Sequence, residues 1–281
     1  MMPSRAWLAR AARHRSFAIG TALAALLVLV ALVSLVWTPY PAIDIDMDGR
    51  LVPPSGAHWF GQDHLGRDVL SLAMVGAQNS ILVGVIAVGV GLSFGTLLGA
   101  VAAAEGGWID ELISRLSDLT FAFPALITAI MLTAVAGPGI GISIIAIGIF
   151  NIPIFARITR ASAMEVWSRE FVTAATAAGK GRLRITFDHV IPNILAPLTV
   201  QATVQFANAI LYEATLSYLG LGTQPPQPSW GRMLNDAQAQ LFEAPWLAVF
   251  PGVAIMLAVL GLNLLGDGLR DLLDPRLARS R

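Results

Sequence analysis

Apolar positions in this chain fall in long uncharged runs, neither alternating as in a half-buried strand nor recurring every three or four residues as on a surface helix. The runs cover Phe17–Trp37, about Ser80–Ala104, Leu119–Ala136, Gly139–Ala156, about Asn193–Tyr212 and Pro245–Gly266. About 20 residues of α-helix cross the ~30 Å hydrocarbon core of a bilayer, so each run is read as a spanning helix. The expected fold is an all-α membrane protein with six transmembrane helices. Pro124, Pro153, Pro197 and Pro251 lie in or beside the last four runs, as membrane helices tolerate when neighbours satisfy the freed carbonyls. The first run is too long for a signal-peptide core and no small-x-small cleavage site follows it, so it is read as a retained helix, residues 17–37.

The intervals between runs divide the rest. Residues 1–16 and 267–281 form tails, and residues 38–79 form one connecting segment. Residues 80–266 hold five helices, a polar loop over 157–192, and a second connecting segment from Glu213 to Ala244 rich in Gly and Pro. The polar loop has helical spacing, with Met164, Trp167, Phe171, Ala174 and Ala178 on one face and Glu165 paired with Arg169 on the other. Gly179 stands where a helix ends in a left-handed residue, and a second short helix is expected from Arg182 to Val190. Thr173, Ala174, Ala175 and Gly179 are small enough for a partner to approach the backbone. The periodicity alone fits a segment resting on lipid headgroups as well as one docking on protein.

Composition agrees with a membrane setting: 56% of residues are hydrophobic and 13% charged, about half the charge of a soluble domain. There is no cysteine, which excludes disulfides and thiolate metal sites. Charge sets the expected orientation. Fourteen of the eighteen basic residues lie before the first run, in the 157–192 loop or after the last run, which predicts that all three are cytoplasmic. The loop before the third run fits less well, with Glu105, Asp110, Glu111 and Asp118 against Arg115, but acidic residues weigh little in that rule.

Candidate chemistry is sparse. Runs two, three, four and six carry no ionisable residue, so a proton or ion relay inside the membrane is not expected. There is no GxxxxGK[ST] loop for ATP and no HExxH zinc motif, and the four histidines are scattered. The chain is expected to be non-catalytic, without a metal or cofactor of its own, and not to bind nucleic acid. Energy for uphill movement would come from another polypeptide. Gly91, Gly95 and Gly99 form a GxxxGxxxG ridge suited to close helix packing. Gln201, Gln205, Asn208 and Tyr212 form a polar stripe that either lines a path or bonds to neighbouring helices. Asp63, His64, Arg67 and Asp68 read as the capped start of a helix, with Asp63, Arg67 and Asp68 candidate contacts for an external protein. Asp267, Arg270 and Asp271 read as a solvated helix end.

Spacing in the loop adds a resemblance. Thr173-Ala174-Ala175, three residues, Gly179, nine residues, then His189, Ile191 and Pro192 is similar to the EAA motif of ABC importer permeases, with both gaps preserved. Thr173, His189 and Ile191 depart from the pattern's Glu, Ile and Leu. Three further strings, "HWFGQDHLGRDVLS", "SYLGLGTQPPQPSWGRML" and "FPGVAIMLAVLGLNLLGDGLRDLLDPR", resemble the C-type permease of the dipeptide, oligopeptide and nickel branch. The resemblance implies a type I importer permease in a bacterial inner membrane, paired with a B-type permease. It implies two ATP-binding subunits, or one fused ATPase, which bind ATP and Mg, and an extracytoplasmic substrate-binding protein. It also implies that the loop seats in an ATPase groove and that the cargo is a di- or oligopeptide. Nickel or another small solute, a non-transporting scaffold and a passive channel remain alternatives at this point.

Overall fold

A peptide group surrounded by hydrocarbon must find its hydrogen bonds within its own segment, so an apolar run of this length becomes a helix. The computed structural model describes residues 14–273. Its helices are α1 (Arg15–Ser34), α2 (Val69–Glu105), α3 (Gly107–Phe121), α4 (Ala125–Ala136) and α5 (Ile140–Trp167). There follow α6 (Glu170–Ala177), α7 (Arg182–Ile185), α8 (Ile191–Tyr218), α9 (Trp230–Ala237) and α10 (Trp246–Leu273). A π-helical turn, Thr186–Val190, joins α7 to α8, so that Arg182–Tyr218 forms one rod. Among the described residues the β pairing is a single isolated bridge, Gln62 with Asp68. Arg5, Arg10, Arg13, Arg276, Arg279 and Arg281, used above for orientation, lie outside the described residues.

Five helices are long and apolar enough to cross a membrane: α1, α2, α5, the Arg182–Tyr218 rod and α10. The pair α3 and α4, bent by 81° at the break, passes the same length and composition test only when the two are taken together. Contacts define the two faces. On one, His14 pairs with Asp271 (3.2 Å) and Arg182 with Glu105 (2.7 Å). On the other, Gly139 donates its N–H to the Leu221 carbonyl (3.1 Å), Trp230 Nε1 donates to Ala73 (2.9 Å), and Phe60 stacks on Phe250 with ring centres 3.9 Å apart. The bent pair starts beside Glu105 and ends beside Gly139, so it joins one face to the other.

The third span differs from its expected boundaries. Its expected bounds are Leu119–Ala136 with a loop before them, yet 107–121 is helical and the helix breaks over 122–124, a stretch that ends in Pro124. α3 is amphipathic: Trp108, Leu112, Leu116 and Leu119 are exposed along one stripe, while its carboxylates reach back to α5. Asp110 binds Arg160, and Asp118 lies 2.6 Å from Arg157, whose guanidinium covers the Phe121 ring at 4.2 Å. Those charges made 105–118 look like a loop. The fifth span also runs longer than expected, to Tyr218, which carries Glu213 into the helix.

α2 and α5 form the most extensive contact in the molecule. Gly91 faces Asn151, Gly95 faces the Ile152 carbonyl and Phe155, and Gly99 faces the Ala156 carbonyl and Thr159. A Cβ at Gly95 would stand 2.5 Å from that carbonyl oxygen. The ridge is therefore used for helix packing, as expected for small residues in lipid. In letters, Gly91-Leu92-Ser93-Phe94-Gly95 also matches the GxSxG string of hydrolase nucleophile elbows. Here it lies inside α2, with no strand-to-helix turn to present the serine. Two apolar clusters flank this contact, one reaching α6 and the π turn, the other joining α1, α2, α9 and α10.

Gly95→Val should wedge α2 from α5 and cost about 1–3 kcal/mol. Gly89→Val, on the same helix with nothing within 4 Å of the added carbon, is the control. Thermal unfolding of both purified variants in detergent should show a lowered midpoint for Gly95→Val alone; equal midpoints would refute the packing role.

Candidate functional site

The 157–192 loop folds as a helix, a glycine turn and a second helix. α5 ends at Trp167, and Ser168 bonds its hydroxyl to the Glu165 carbonyl (2.8 Å). Arg169 is extended, so the single apolar face expected from Met164 to Ala178 is broken into two helices there. Glu165 and Arg169 do pair, at 2.8 Å, but both are exposed and such a pair contributes little. α6 then ends in a Schellman motif: Gly179 donates to the Thr176 carbonyl (2.9 Å) and Lys180 to the Ala175 carbonyl (3.1 Å). Gly179 has φ +82°, in the left-handed region that favours glycine.

One side of this unit is anchored. Val172, Ile185 and Val190 are buried with Phe155, Ala163 and Val166 in one cluster. Phe171 packs edge-on against His189, and Lys180 Nζ lies 3.1 Å from His189 Nε2. The other side is open. Thr173, Ala174 and Gly179 are exposed, Ala175 half-buried, and Pro192 exposed just beyond the π turn, with His189 and Ile191 half-buried. The π turn follows from Pro192, which has no N–H for the Asp188 carbonyl. Ile191 reaches back five residues to the Thr186 carbonyl, and Asn193 Nδ2 bonds the His189 carbonyl (2.7 Å).

The stripe on α8 lies along one side of the rod. Gln205 is buried, while Gln201, Asn208 and Tyr212 are half-buried. Asn208 Nδ2 reaches Gln205 Oε1 at 3.5 Å, the limit of a hydrogen bond. Among the described residues none of the four side chains hydrogen-bonds to another helix, although the Tyr212 ring packs against the apolar core and Gln205 is buried.

On the opposite face, Asp63, Arg67 and Asp68 are turned inward. Asp63 accepts from the N–H groups of Leu65 (2.8 Å) and Arg67 (2.9 Å), and from Arg67 Nε (2.7 Å). Asp68 caps α2 by accepting from Ser71 N (2.8 Å) and Ser71 Oγ (2.7 Å), and its other oxygen meets His58 Nδ1 at 2.9 Å. Arg67 continues to Asp236, and Asp236 to Arg232, which links the first connecting segment to α9. The capped helix start expected from the sequence is present. Asp271 meets His14 at 3.2 Å and is half-exposed, consistent with a helix end at the opposite boundary.

Sequence reasoning missed Glu213. It lies inside α8 and is fully buried. Its Oε1 accepts from Ser217 Oγ (2.7 Å) and Thr223 Oγ1 (3.2 Å). The fifth run as read from sequence ends at Tyr212, one residue before Glu213, whereas α8 continues to Tyr218 and so carries this carboxylate. A carboxylate at i with a serine at i+4, followed by a Gly-rich turn, was the available signal. Its partners belong to the helix end and the 219–229 loop, so it ties these together rather than forming part of a relay.

Residues 95–279 match the family model described as binding-protein-dependent transport system inner membrane component. The chain is 46% identical over 250 residues to the dipeptide transport system permease protein DppC of Alkalihalophilus pseudofirmus, covering 89% of this chain and 82% of that protein. It is 44% identical over 267 residues to the glutathione transport system permease protein GsiD of Escherichia coli strain 536, covering 94% and 88%. Its fold is similar to a chain of the inward-facing MetNI methionine ABC transporter, with a TM-score of 0.60, 16% identity, and coverage of 72% of this chain and 97% of that one.

Because the Asp68 carboxylate meets three groups at once, Ser71 N, Ser71 Oγ and His58 Nδ1, Asp68→Ala should lower stability by about 1–3 kcal/mol. Thermal unfolding of the purified protein checks this, and an unchanged midpoint would show that the cap is dispensable.

Proposed function

The chain belongs to the binding-protein-dependent transport system inner membrane components, an ABC importer permease that crosses the inner membrane several times, and on that premise we propose that it forms half of the path for short peptides. The other half is a B-type permease. Two ATP-binding subunits, or one fused ATPase, bind ATP and Mg on the face carrying α6, and an extracytoplasmic binding protein delivers cargo to the face carrying α9. Both termini are then cytoplasmic, in keeping with the distribution of arginine. The segments follow as proposed from sequence: tails at 1–16 and 267–281, a first helix at 17–37, an external segment at 38–79 and a permease core at 80–266.

The observation that carries this reading is the half-anchored loop. Thr173, Ala174, Ala175, Gly179, His189, Ile191 and Pro192 form the ATPase-coupling unit. A helix with its buried face locked by Val172 and its free face made of threonine, alanine and glycine supports close seating on another protein. The missing glutamate at Thr173 removes one ionic contact without altering the backbone shape. Asp63, Arg67 and Asp68 act on the binding-protein side by shaping the 58–68 segment and fixing it to α9.

Short peptides as cargo are supported by the named cargoes of the two curated relatives, a dipeptide and glutathione. A peptide offers amides and carboxylates that need polar partners along a path. Gln201, Gln205, Asn208 and Tyr212 offer such partners: apart from the 3.5 Å contact between Asn208 and Gln205 their polar atoms bond to no other helix among the described residues, which favours the path over internal packing. Replacing Gln201, Gln205 and Asn208 together with Leu should leave the complex assembled and reduce or redirect peptide uptake. Unchanged uptake of every tested peptide would remove the path assignment, and loss of assembly would favour packing.

Gly179→Val forces a β-branched residue into the left-handed region at about 1–3 kcal/mol, or tilts α7 and the rod behind it. The added carbon meets nothing within 4 Å, so the bundle itself is not crowded. Copurification of the ATPase and substrate-stimulated ATP hydrolysis in reconstituted complex should both fall, while pairing with the second permease persists. Wild-type values for both would end the coupling assignment.

A further inference from the structure

A groove of about 380 Å³ opens between α1, α2 and α10, towards the face that carries α9. Its cause is local. Ala73 and Ala77 on α2 and Ala254 and Ala258 on α10 all line it, so each helix contributes two short side chains one turn apart, beside Leu70, Met74 and Leu257. At its inner end α1 is pressed against α10, where a Cβ on Gly261 would stand 2.6 Å from Leu23 Cβ. At its outer end stand Trp37 and Trp59, both largely exposed. Tryptophan collects at the boundary between hydrocarbon and headgroups, which fixes the depth of the groove.

What fills a void of this kind follows from its walls and shape. The side chains lining it are apolar apart from the indole nitrogens, so water would find too few partners there. From Leu23 to Trp37 the groove runs roughly 15–20 Å, close to the hydrocarbon depth of one leaflet. Spread over that length, its volume leaves the width of a hydrocarbon chain and not the ~10 Å of a helix. Its rim is continuous with apolar side chains exposed outside it, Leu29 on α1 and Val253 and Met256 on α10. Those belong to spans of a membrane protein, so the groove is a dent in an apolar outer surface of this chain.

We propose that this groove holds one acyl chain of a phospholipid from the adjoining leaflet, its headgroup level with Trp37 and Trp59. The chain completes the packing of α1, which meets α2 less extensively than α10, through contacts that include the 2.7 Å bond from Gln78 Nε2 to Ser34 Oγ. A partner helix is the competing occupant.

The test uses the assembled transporter in vesicles of phosphatidylethanolamine and phosphatidylglycerol, doped with a phosphatidylcholine that carries a diazirine on its acyl chain. After irradiation, peptide mapping should find adducts on the groove wall, at Leu27 and Ala77, besides those on Leu29 and Met256 outside it. Ala73→Leu with Ala254→Leu fills the void and should abolish the wall adducts. Adducts on Leu29 and Met256 should persist, which shows that the variant is folded and embedded. In a companion sample, benzoylphenylalanine at Leu27 should acquire the mass of a phospholipid. Wall adducts that are absent in the wild type, or that survive the double substitution, would overturn the proposal. So would capture of another polypeptide at Leu27.

Discussion

How closely α2 can approach α5 sets the geometry of the rest. In lipid there is no hydrophobic gain from bringing two apolar helices together, so association depends on packing contacts that require the backbones to come near. Gly91, Gly95 and Gly99 provide that approach over two turns, against Asn151, Ile152, Phe155, Ala156 and Thr159. α5 is then fixed, and with it the Arg157 and Arg160 guanidiniums that hold α3, the Phe155 and Val166 side chains under α6, and the point at which the loop leaves the membrane. Moving α5 outward by one methyl group would shift every one of these contacts. The same device recurs around α1, where Gly20, Gly261 and Gly268 bring it against α10.

Backbone accounting explains the irregular places. Pro153, Pro197 and Pro251 each lie inside a helix and each frees a carbonyl one turn earlier. At Pro192 the deficit is met visibly: the turn widens to a π-helix and the Asn193 side chain supplies a donor. At the far end of α8 the chain must leave the helix and cross to α9. There Glu213, Ser217 and Thr223 bond to one another, and Gln224 Nε2 bonds the Gly220 and Gly222 carbonyls at 3.0 Å each. Buried polar groups in such a place are costly unless paired, so this cluster fixes one loop conformation rather than permitting several.

Most of the bundle was legible in the sequence because a bilayer imposes a length and a polarity that a single chain must display. The glycine ridge and Gly179 were legible for a similar reason: each is a place where only a small residue or a left-handed one fits. α3 was not, because its charges answer to Arg157 and Arg160, about 40 to 50 positions away, and no local pattern reports that. Glu213 was missed because hydropathy ends a span at the first carboxylate, whereas the helix continues until its carbonyls are capped at Gly220. The break at Ser168–Arg169 was hidden by an apolar periodicity that continues across it. The inward turn of Asp63 and Asp68 depends on Ser71, His58 and Arg67 together, which residue type alone could not fix.

The two ends of the rod bear on how one face can affect the other. Arg182–Tyr218 is helical without interruption apart from the π turn, about 55 Å at 1.5 Å per residue. Arg182 is tied to Glu105 at one end and Glu213 to the 219–229 loop at the other. A force applied to α6 has two routes: through Ser168 into α5, which is clamped to α2 along the glycine ridge, or through Gly179–Gly181 into the rod. The first route meets the most extensive contact in the molecule. The second meets a glycine turn, a widened helical turn and then a rod that keeps Gln201, Gln205 and Asn208 on one side along its length. α8 is in turn packed against α2, α5, α9 and α10, so a displacement entering the rod is shared with the rest of the bundle. On the proposed coupling role of α6, a displacement of its free face is carried by this rod towards the polar stripe and the 219–229 loop.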